Sequence, residues 1–261
     1  MVSLTTQMEL RAVQALPFCY LCGVRFAPGD DIDRDHVPPK SIFATTDRQP
    51  LILRTHRGCN NMHKLTDEKI GQLIALNYGQ VPANPLNRRL RFAHLGLVGT
   101  TAVTNLNIDA AIWRWIAGFH AALYREPLLI MGRNRSLVKP FRQVDWTKGY
   151  YSVAPLRQQH SLFVKLVKVN RLRNSVDRIV ANKAKMTYEC LWIQDDERTK
   201  WMCVFALKLY DWADMGSSLF WPTRGCAGVY ALESGLLPAN ATRGSPPSVW
   251  IPDAHPLDPF A

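Results

Sequence analysis

The sequence predicts an α+β protein in two parts: a small module organised by a cysteine and histidine cluster, then a mixed region of helices and a β-hairpin. Three observations lead there. Six of the 13 cysteines and histidines fall between Cys19 and His63, about a sixth of the chain. After Asn107, apolar residues return at helical spacing. Further on, Thr187 to Gln194 and Lys200 to Leu209 are rich in β-branched and aromatic residues and flank the polar run Asp195-Asp196-Glu197.

Taken in order, residues 1–16 are a lead-in with one short helix. Phe18 to Phe26 predicts a hairpin with Cys19-x-x-Cys22-Gly23 as the tight turn at its tip. Asp30 to Val37 predicts a strand, ended by Pro38 and Pro39, which cannot both join a ladder. From Asn60 on, Ile70, Leu73 and Ile74 predict a helix, with Thr66 as its N-cap and Asp67 and Glu68 in its first turn. The first module therefore spans residues 1–79. Residues 80–106 are expected to be a basic linker, opening with Pro82 and Pro85 and carrying Arg88, Arg89 and Arg91. Residues 107–261 are expected to form the second domain. Asn107 caps a helix whose apolar face is Ile108, Ile112, Trp115, Ile116, Phe119 and Leu123, with His120 packed beside it. A second helix follows over Gln158 to Arg173, then the hairpin, in which Cys190 and Cys203 are expected to meet as buried thiols. The tail after Pro238 is rich in Pro, Gly and Ser and is expected to be irregular.

Length and charge bound the function. A chain of 261 residues, 47% hydrophobic, can bury its own core and is not disordered. No apolar stretch is long enough to span a bilayer, and the first 16 residues do not form an export signal, so a soluble, cytoplasmic protein with no membrane partner is expected. Six cysteines in such a chain do not suggest a disulfide scaffold. The formal net charge is +11 and the isoelectric point about 9.6, which suits a polyanionic partner, nucleic acid first. A second basic tract runs from Arg157 to Lys185, with eight cationic residues against Asp177 alone; it reads equally as a DNA-backbone tract or a solvated face.

The chemistry lies in the cluster. Cys19-x-x-Cys22 and His56-x-x-Cys59 have the spacing that lets two ligands of each pair face one tetrahedral ion. All four positions are protein donors, so the expected cofactor is a closed, structural Zn²⁺; a redox pair is the competing reading of the first half. Between the two halves lies Asp33-Arg34-Asp35-His36-Val37-Pro38-Pro39-Lys40. An imidazole beside a carboxylate can activate water, and the carboxylate can orient the ring or hold a divalent cation. Asn60, Asn61, His63 and Lys64 follow the last zinc ligand directly. Zinc would bring Asn60 near His36, and the whole set suits attack on a phosphodiester.

In order, spacing and residue type, Cys-x-x-Cys-Gly at 19–23, Asp-His-Val-Pro-Pro-Lys at 35–40 and Cys-Asn-Asn at 59–61 closely resemble the bacterial and phage HNH endonucleases. The resemblance covers about residues 18–69. It implies a ββα-metal nuclease module, with His36 as general base and Asp35 and Asn60 as ligands of a catalytic Mg²⁺ or Mn²⁺. Cys19, Cys22 and Cys59 match the family's structural zinc. The chain departs from the pattern in three places. His56 stands where cysteine is common, Gln49 where the middle asparagine is expected, and His63 is out of register with a second metal-binding histidine. His63 and Lys64 are expected to contact phosphate, together with Lys40, Arg88, Arg89 and Arg91. The segments Tyr188–Trp192 and Trp201–Trp212 resemble the downstream part of HNH-containing bacterial proteins.

The expected function is thus metal-dependent hydrolysis of phosphodiester bonds in DNA, with double-stranded DNA as partner. The alternatives are an inactive, zinc-stabilised nucleic-acid binder and an RNase using the same site. Asp35 and His36 face opposite sides of a regular strand, so their convergence requires the backbone to leave the strand there.

Overall fold

The computed structural model describes residues 1–43, 48–77, 91–95, 100–103, 106–129, 134–138, 144–145, 149–150, 153–194, 199–209 and 226–244. In chain order the elements are β1 (Ser3–Leu4), α1 (Gln7–Ala12), β2 (Ile32–Val37), a 3-10 turn at Lys40–Ile42, β3 (Leu51–His56), α2 (Arg57–Asn61) and α3 (Lys64–Asn77). Then come β4 (Phe92–Leu95), β5 (Thr100–Val103), α4 (Ile108–Tyr124), β6 (Arg135–Val138), β7 (Val144–Asp145) and β8 (Gly149–Tyr150). The chain ends with α5 (Val153–Leu172), β9 (Asp177–Ala181), β10 (Met186–Gln194), β11 (Trp201–Leu209) and β12 (Cys226–Ala231). The protein is mixed α and β, in two compact units: Gln7–Pro127, and Met1–Thr6 with Leu128–Ala261.

The second unit is built on a six-stranded sheet in the order β1-β9-β10-β11-β12-β6. β1 runs parallel to β9; the other neighbours are antiparallel. One face carries Leu191, Ile193, Met202, Val204, Ala227, Val229 and Ala231, which pack with Phe163, Leu166 and Val167 of α5. The other face buries Tyr188, Cys190, Trp192, Phe205 and Tyr230, with Trp192 and Tyr230 edge to face at 5.6 Å. The predicted hairpin is β10 and β11; its turn, residues 195–198, lies outside the described residues. Cys203 is opposite Trp192 and Cys190 is opposite Phe205, so the thiols are diagonal neighbours rather than a facing pair. β1, β6, β9 and β12 complete a sheet of which the sequence disclosed only the two central strands.

In the first unit β2 and β3 form an antiparallel pair, with Asp33 opposite Thr55 and His36 opposite Ile52. Leu51, Leu53 and Val37 are fully buried, so the inner face of this pair is apolar except at Thr55, Asp33 and Asp35. α2 and α3 follow β3 without a long loop, and Ile70 of α3 is buried. Thr66 lies inside α3 and is not its N-cap, because the chain is already helical from Lys64.

The helix predicted after Asn107 is α4, and the Asn107 side chain accepts a bond from the Ala110 N–H at 3.1 Å. It is buried nearly all round rather than on one face, and His120 is fully buried within it. The expected boundary at residue 107 is corrected here: α4 belongs to the unit of β2, β3 and α3. Gly118 lets it lie close to β2, since a Cβ at that position would sit 2.7 Å from Val37 Cγ1. The expected linker also contains structure, because β4 and β5 pair antiparallel, Phe92 opposite Val103. Arg88 and Arg89 lie outside the described residues, as does the tail beyond residue 244.

Candidate metal centre and the neighbouring polar strand

The cysteine and histidine cluster forms as the spacing requires. Phe18 and Arg25 bridge, Cys19 N–H donates to the Val24 carbonyl at 2.9 Å, and Gly23 N–H donates to the Cys19 carbonyl at 2.8 Å. Gly23 takes φ of 77°, a left-handed conformation that the tight turn needs and that glycine adopts without penalty. This knuckle presents Cys19 and Cys22 to one side. β3 ends at His56, and α2 carries Cys59 one turn further on. The ligand atoms of Cys19, Cys22, His56 and Cys59 all lie within 4.8 Å of one another. Cys22 Sγ is 3.4 Å from His56 Nδ1. Thiolates bound at about 2.3 Å to a tetrahedral ion are about 3.8 Å apart, so the cluster fits zinc.

Two further observations fit the same ion. His56 Nε2 lies 3.3 Å from Asp30 Oδ2, and Asp30 itself accepts from the Ala27 N–H at 2.6 Å. A carboxylate accepting from Nε2–H fixes the tautomer in which Nδ1 carries the lone pair, and Nδ1 is the atom turned to the cysteines. Burial and the neighbouring Cys19 and Cys22 push the Cys59 thiol up to about 12. Three crowded thiols resist ionising together, and a divalent cation among them reverses that balance.

Next to the cluster, β2 sets out the polar residues. Asp33 and Asp35 lie two apart and share a face; His36 is on the other face and half-buried. The strand stays regular through Val37, so the expected departure of the backbone at Asp35 and His36 does not occur. Pairing continues to Val37 opposite Leu51, and only then do Pro38 and Pro39 end it. On the inner face Tyr20 donates its hydroxyl to Asp35 Oδ2 at 2.5 Å, and Arg114 Nη1 from α4 lies 3.7 Å from the same oxygen. Arg114 also pairs through Nη2 with Asp67 of α3. Burial, the Asp35 charge and their hydrogen bond raise Tyr20 well above the ordinary tyrosine range. Burial pushes Asp67 up to about 6, against the pull of Arg114.

Asn60 was expected near His36. It donates through Nδ2 to Asp33 Oδ2 at 3.0 Å, two residues before Asp35 and three before His36 on the same strand. That bond is the main reason Asp33 sits below the usual carboxylate range. His36 is lowered from the ordinary imidazole value by burial and by Lys40 and Arg48, with Asp35 opposing. Of the expected phosphate contacts, Lys40, Lys64 and Arg91 are exposed; Lys40 opens the 3-10 turn and Lys64 opens α3. His63 is half-buried, and burial and Arg114 lower it from the ordinary imidazole value while Asp35 opposes. Gln49 is exposed just before β3.

Tyr20 and Arg114 are not read from the sequence at all; Asp30 is read there only as the start of a strand, Asp67 only as a first-turn acid of its helix, and Asp33 only as the start of the run to Lys40. Only Asp33 carried a signal, as the first member of Asp-x-Asp on a strand. Arg114 joins two carboxylates inside the unit, with its side chain 3% exposed. Removing one member of a buried ion network leaves uncompensated charge, which costs about 3–5 kcal/mol. Arg114→Met is expected to lower stability by that amount, read as a shift of the urea midpoint for this unit. A loss under about 1 kcal/mol would mean that the carboxylates find water or protons at little cost.

The chain matches no family model, no curated protein and no solved structure. Among the described residues, no helix is long and apolar enough to cross a membrane.

Proposed function

We propose that the protein is a metal-dependent endonuclease that hydrolyses phosphodiester bonds in DNA, with an HNH-type module stabilised by zinc. The observation that carries this reading is the Asn60–Asp33 hydrogen bond. It ties the first turn after the zinc cluster to the strand that holds Asp35 and His36. Zinc on Cys19, Cys22, His56 and Cys59 would fix β3 and α2 against the knuckle, and so fix that junction. A cytoplasmic setting, where thiols stay reduced, suits such a cluster.

The chemistry then follows from the residues. His36, neutral at physiological pH, takes a proton from water as the water attacks phosphorus. Asp35 offers a carboxylate and Asn60 an amide oxygen, both hard donors of the kind Mg²⁺ or Mn²⁺ prefers. A bound ion would supply charge neutralisation for the phosphorane-like transition state and the leaving oxygen. Lys40, beside His36, and Lys64, at the start of α3, would hold neighbouring phosphates.

The direct test is purified, zinc-loaded protein with plasmid DNA and with structured RNA, in Mg²⁺, in Mn²⁺ and in EDTA, with zinc content checked throughout. Cutting of DNA that needs Mg²⁺ or Mn²⁺ is expected. Cutting of RNA alone makes the protein an RNase. One observation favours a second reading, a non-catalytic nucleic-acid binder: Asp35 is already engaged by Tyr20 and Arg114. Tight binding with no cleavage of either substrate in any metal establishes that reading.

Binding itself should depend steeply on salt. A protein of charge +11 that neutralises 6–10 phosphates loses roughly 10³–10⁵ in affinity between about 50 and 200 mM salt, through counterion release. Fluorescence anisotropy with a labelled duplex measures this. A flat response would separate the basic residues from the DNA surface.

A further inference from the structure

We infer that Asp33 is the positioning residue of Asn60, holding the asparagine amide so that its oxygen rather than its nitrogen faces a divalent cation. The inference rests on the nuclease reading above and adds a residue to it. An asparagine side chain has two ends of nearly equal size, and its terminal torsion is broad and roughly two-fold. Only the carbonyl oxygen can bind a cation; the NH₂ end repels it. Something must therefore choose the orientation.

Asp33 makes that choice by chemistry. An ionised carboxylate has acceptors and no donor, so the atom of Asn60 that lies 3.0 Å from Asp33 Oδ2 must be the amide nitrogen. The amide oxygen then points the other way. Asp33 is itself held, because Oδ1 accepts from the Arg34 N–H at 2.7 Å. The two partners come from elements that the rest of the unit fixes: β2, paired along its length with β3, and α2, which begins at the metal cluster. Asp33 and Asp35 also share one face of β2, about 7 Å apart along the strand, so the amide is anchored one repeat from the carboxylate it is to act with.

The probe is Mn²⁺, followed by electron paramagnetic resonance of the free ion, on zinc-loaded full-length protein whose zinc content and circular dichroism match the wild type. Asp33→Ala is expected to weaken Mn²⁺ binding about 10–100-fold, the usual cost of losing a group that orients a ligand. Asp33→Asn has one oxygen for two donors; with that oxygen on the Arg34 N–H it turns an NH₂ toward Asn60, so it is expected to lose about as much as Asp33→Ala. In an Asn60→Ala background, Asp33→Ala is expected to have no further effect, because the amide it orients is gone.

Several results would overturn the inference. Wild-type affinity in Asp33→Asn would show that the second carboxylate oxygen does not set the amide. Losses at Asp33 and Asn60 that simply add would show two independent roles. Wild-type affinity in Asp33→Ala, with Asn60→Ala weakened, defeats the positioning role and leaves the nuclease reading standing. If wild type binds no Mn²⁺ and Asn60→Ala changes nothing, the cation site falls, and this inference falls with it.

Discussion

Cys22→Ser is expected to abolish tight zinc binding and to unfold residues 7–127 while the six-stranded sheet unit stays folded. Cys22 is the informative ligand because it is exposed. Its replacement removes no packing, whereas a polar atom at the fully buried Cys19 would carry its own desolvation penalty. What is lost is the metal. Structural zinc sites bind with an apparent free energy of about 10–16 kcal/mol, comparable to or larger than the whole stability of an ordinary domain at about 5–15 kcal/mol. Here the four ligands join three separate pieces: the knuckle at residues 18–26, the end of β3 and the start of α2. The sheet unit owns none of these ligands, and its core of α5, β10, β11 and β12 is formed independently. Hydrogen exchange read by mass spectrometry is the measurement: protection should collapse over β2, β3, α2 and α3 and persist over β10 and β11. Well-folded wild-type protein without zinc, or Cys22→Ser with unchanged protection, would remove the metal from the account of this fold.

What could be read in the chain, and what could not, follows from how far each signal reaches. The cluster was legible because metal ligands on a two-residue spacing are a local pattern, and a local pattern has one geometry to satisfy. The α4 helix was legible for the same reason, from its cap at Asn107 and its 3.6-residue period. Its partner was not. Periodicity says that a helix has an apolar face and nothing about what covers it, so α4 was grouped with the region after it and not with β2 and α3. Arg114 illustrates the limit. It lies within a run of apolar residues, and nothing in its neighbours indicates that Asp35, 79 positions earlier, would draw it inside. Asp33 has no such local signature beyond its place two residues before Asp35, and its partner Asn60 is 27 positions away. β9 and β12, which flank the central hairpin, are short runs, five and six residues long, whose pairing depends on neighbours distant in sequence.

His36→Ala is expected to reduce DNA cleavage by about 10²–10⁴, the contribution of a positioned general base. The variant should keep its zinc, because all four ligands lie elsewhere. It should also keep its DNA affinity, since a neutral imidazole carries no charge toward phosphate. His36 is half-buried on the face of β2 opposite Asp33 and Asp35, so its loss leaves the Asp33–Asn60 bond and the Tyr20–Asp35–Arg114 group in place. Added Mn²⁺ should therefore fail to rescue it, whereas it should partly rescue Asn60→Ala, whose defect is in holding the ion. The pH dependence follows from the direction of the shift. Burial and the cations Lys40 and Arg48 disfavour the imidazolium, and a divalent ion nearby would act the same way. The neutral, base-competent form is then reached at lower pH than for free imidazole, with its value of about 6.5. Cleavage should rise with pH and level off near or below neutrality, and the rising limb should vanish in His36→Ala. The measurement is single-turnover plasmid cleavage for both proteins at matched zinc content and matched DNA affinity, from pH 5 to 8. Equal rates would show that His36 is not the base. Another group, with the half-buried His63 the first to replace, would then have to take the proton.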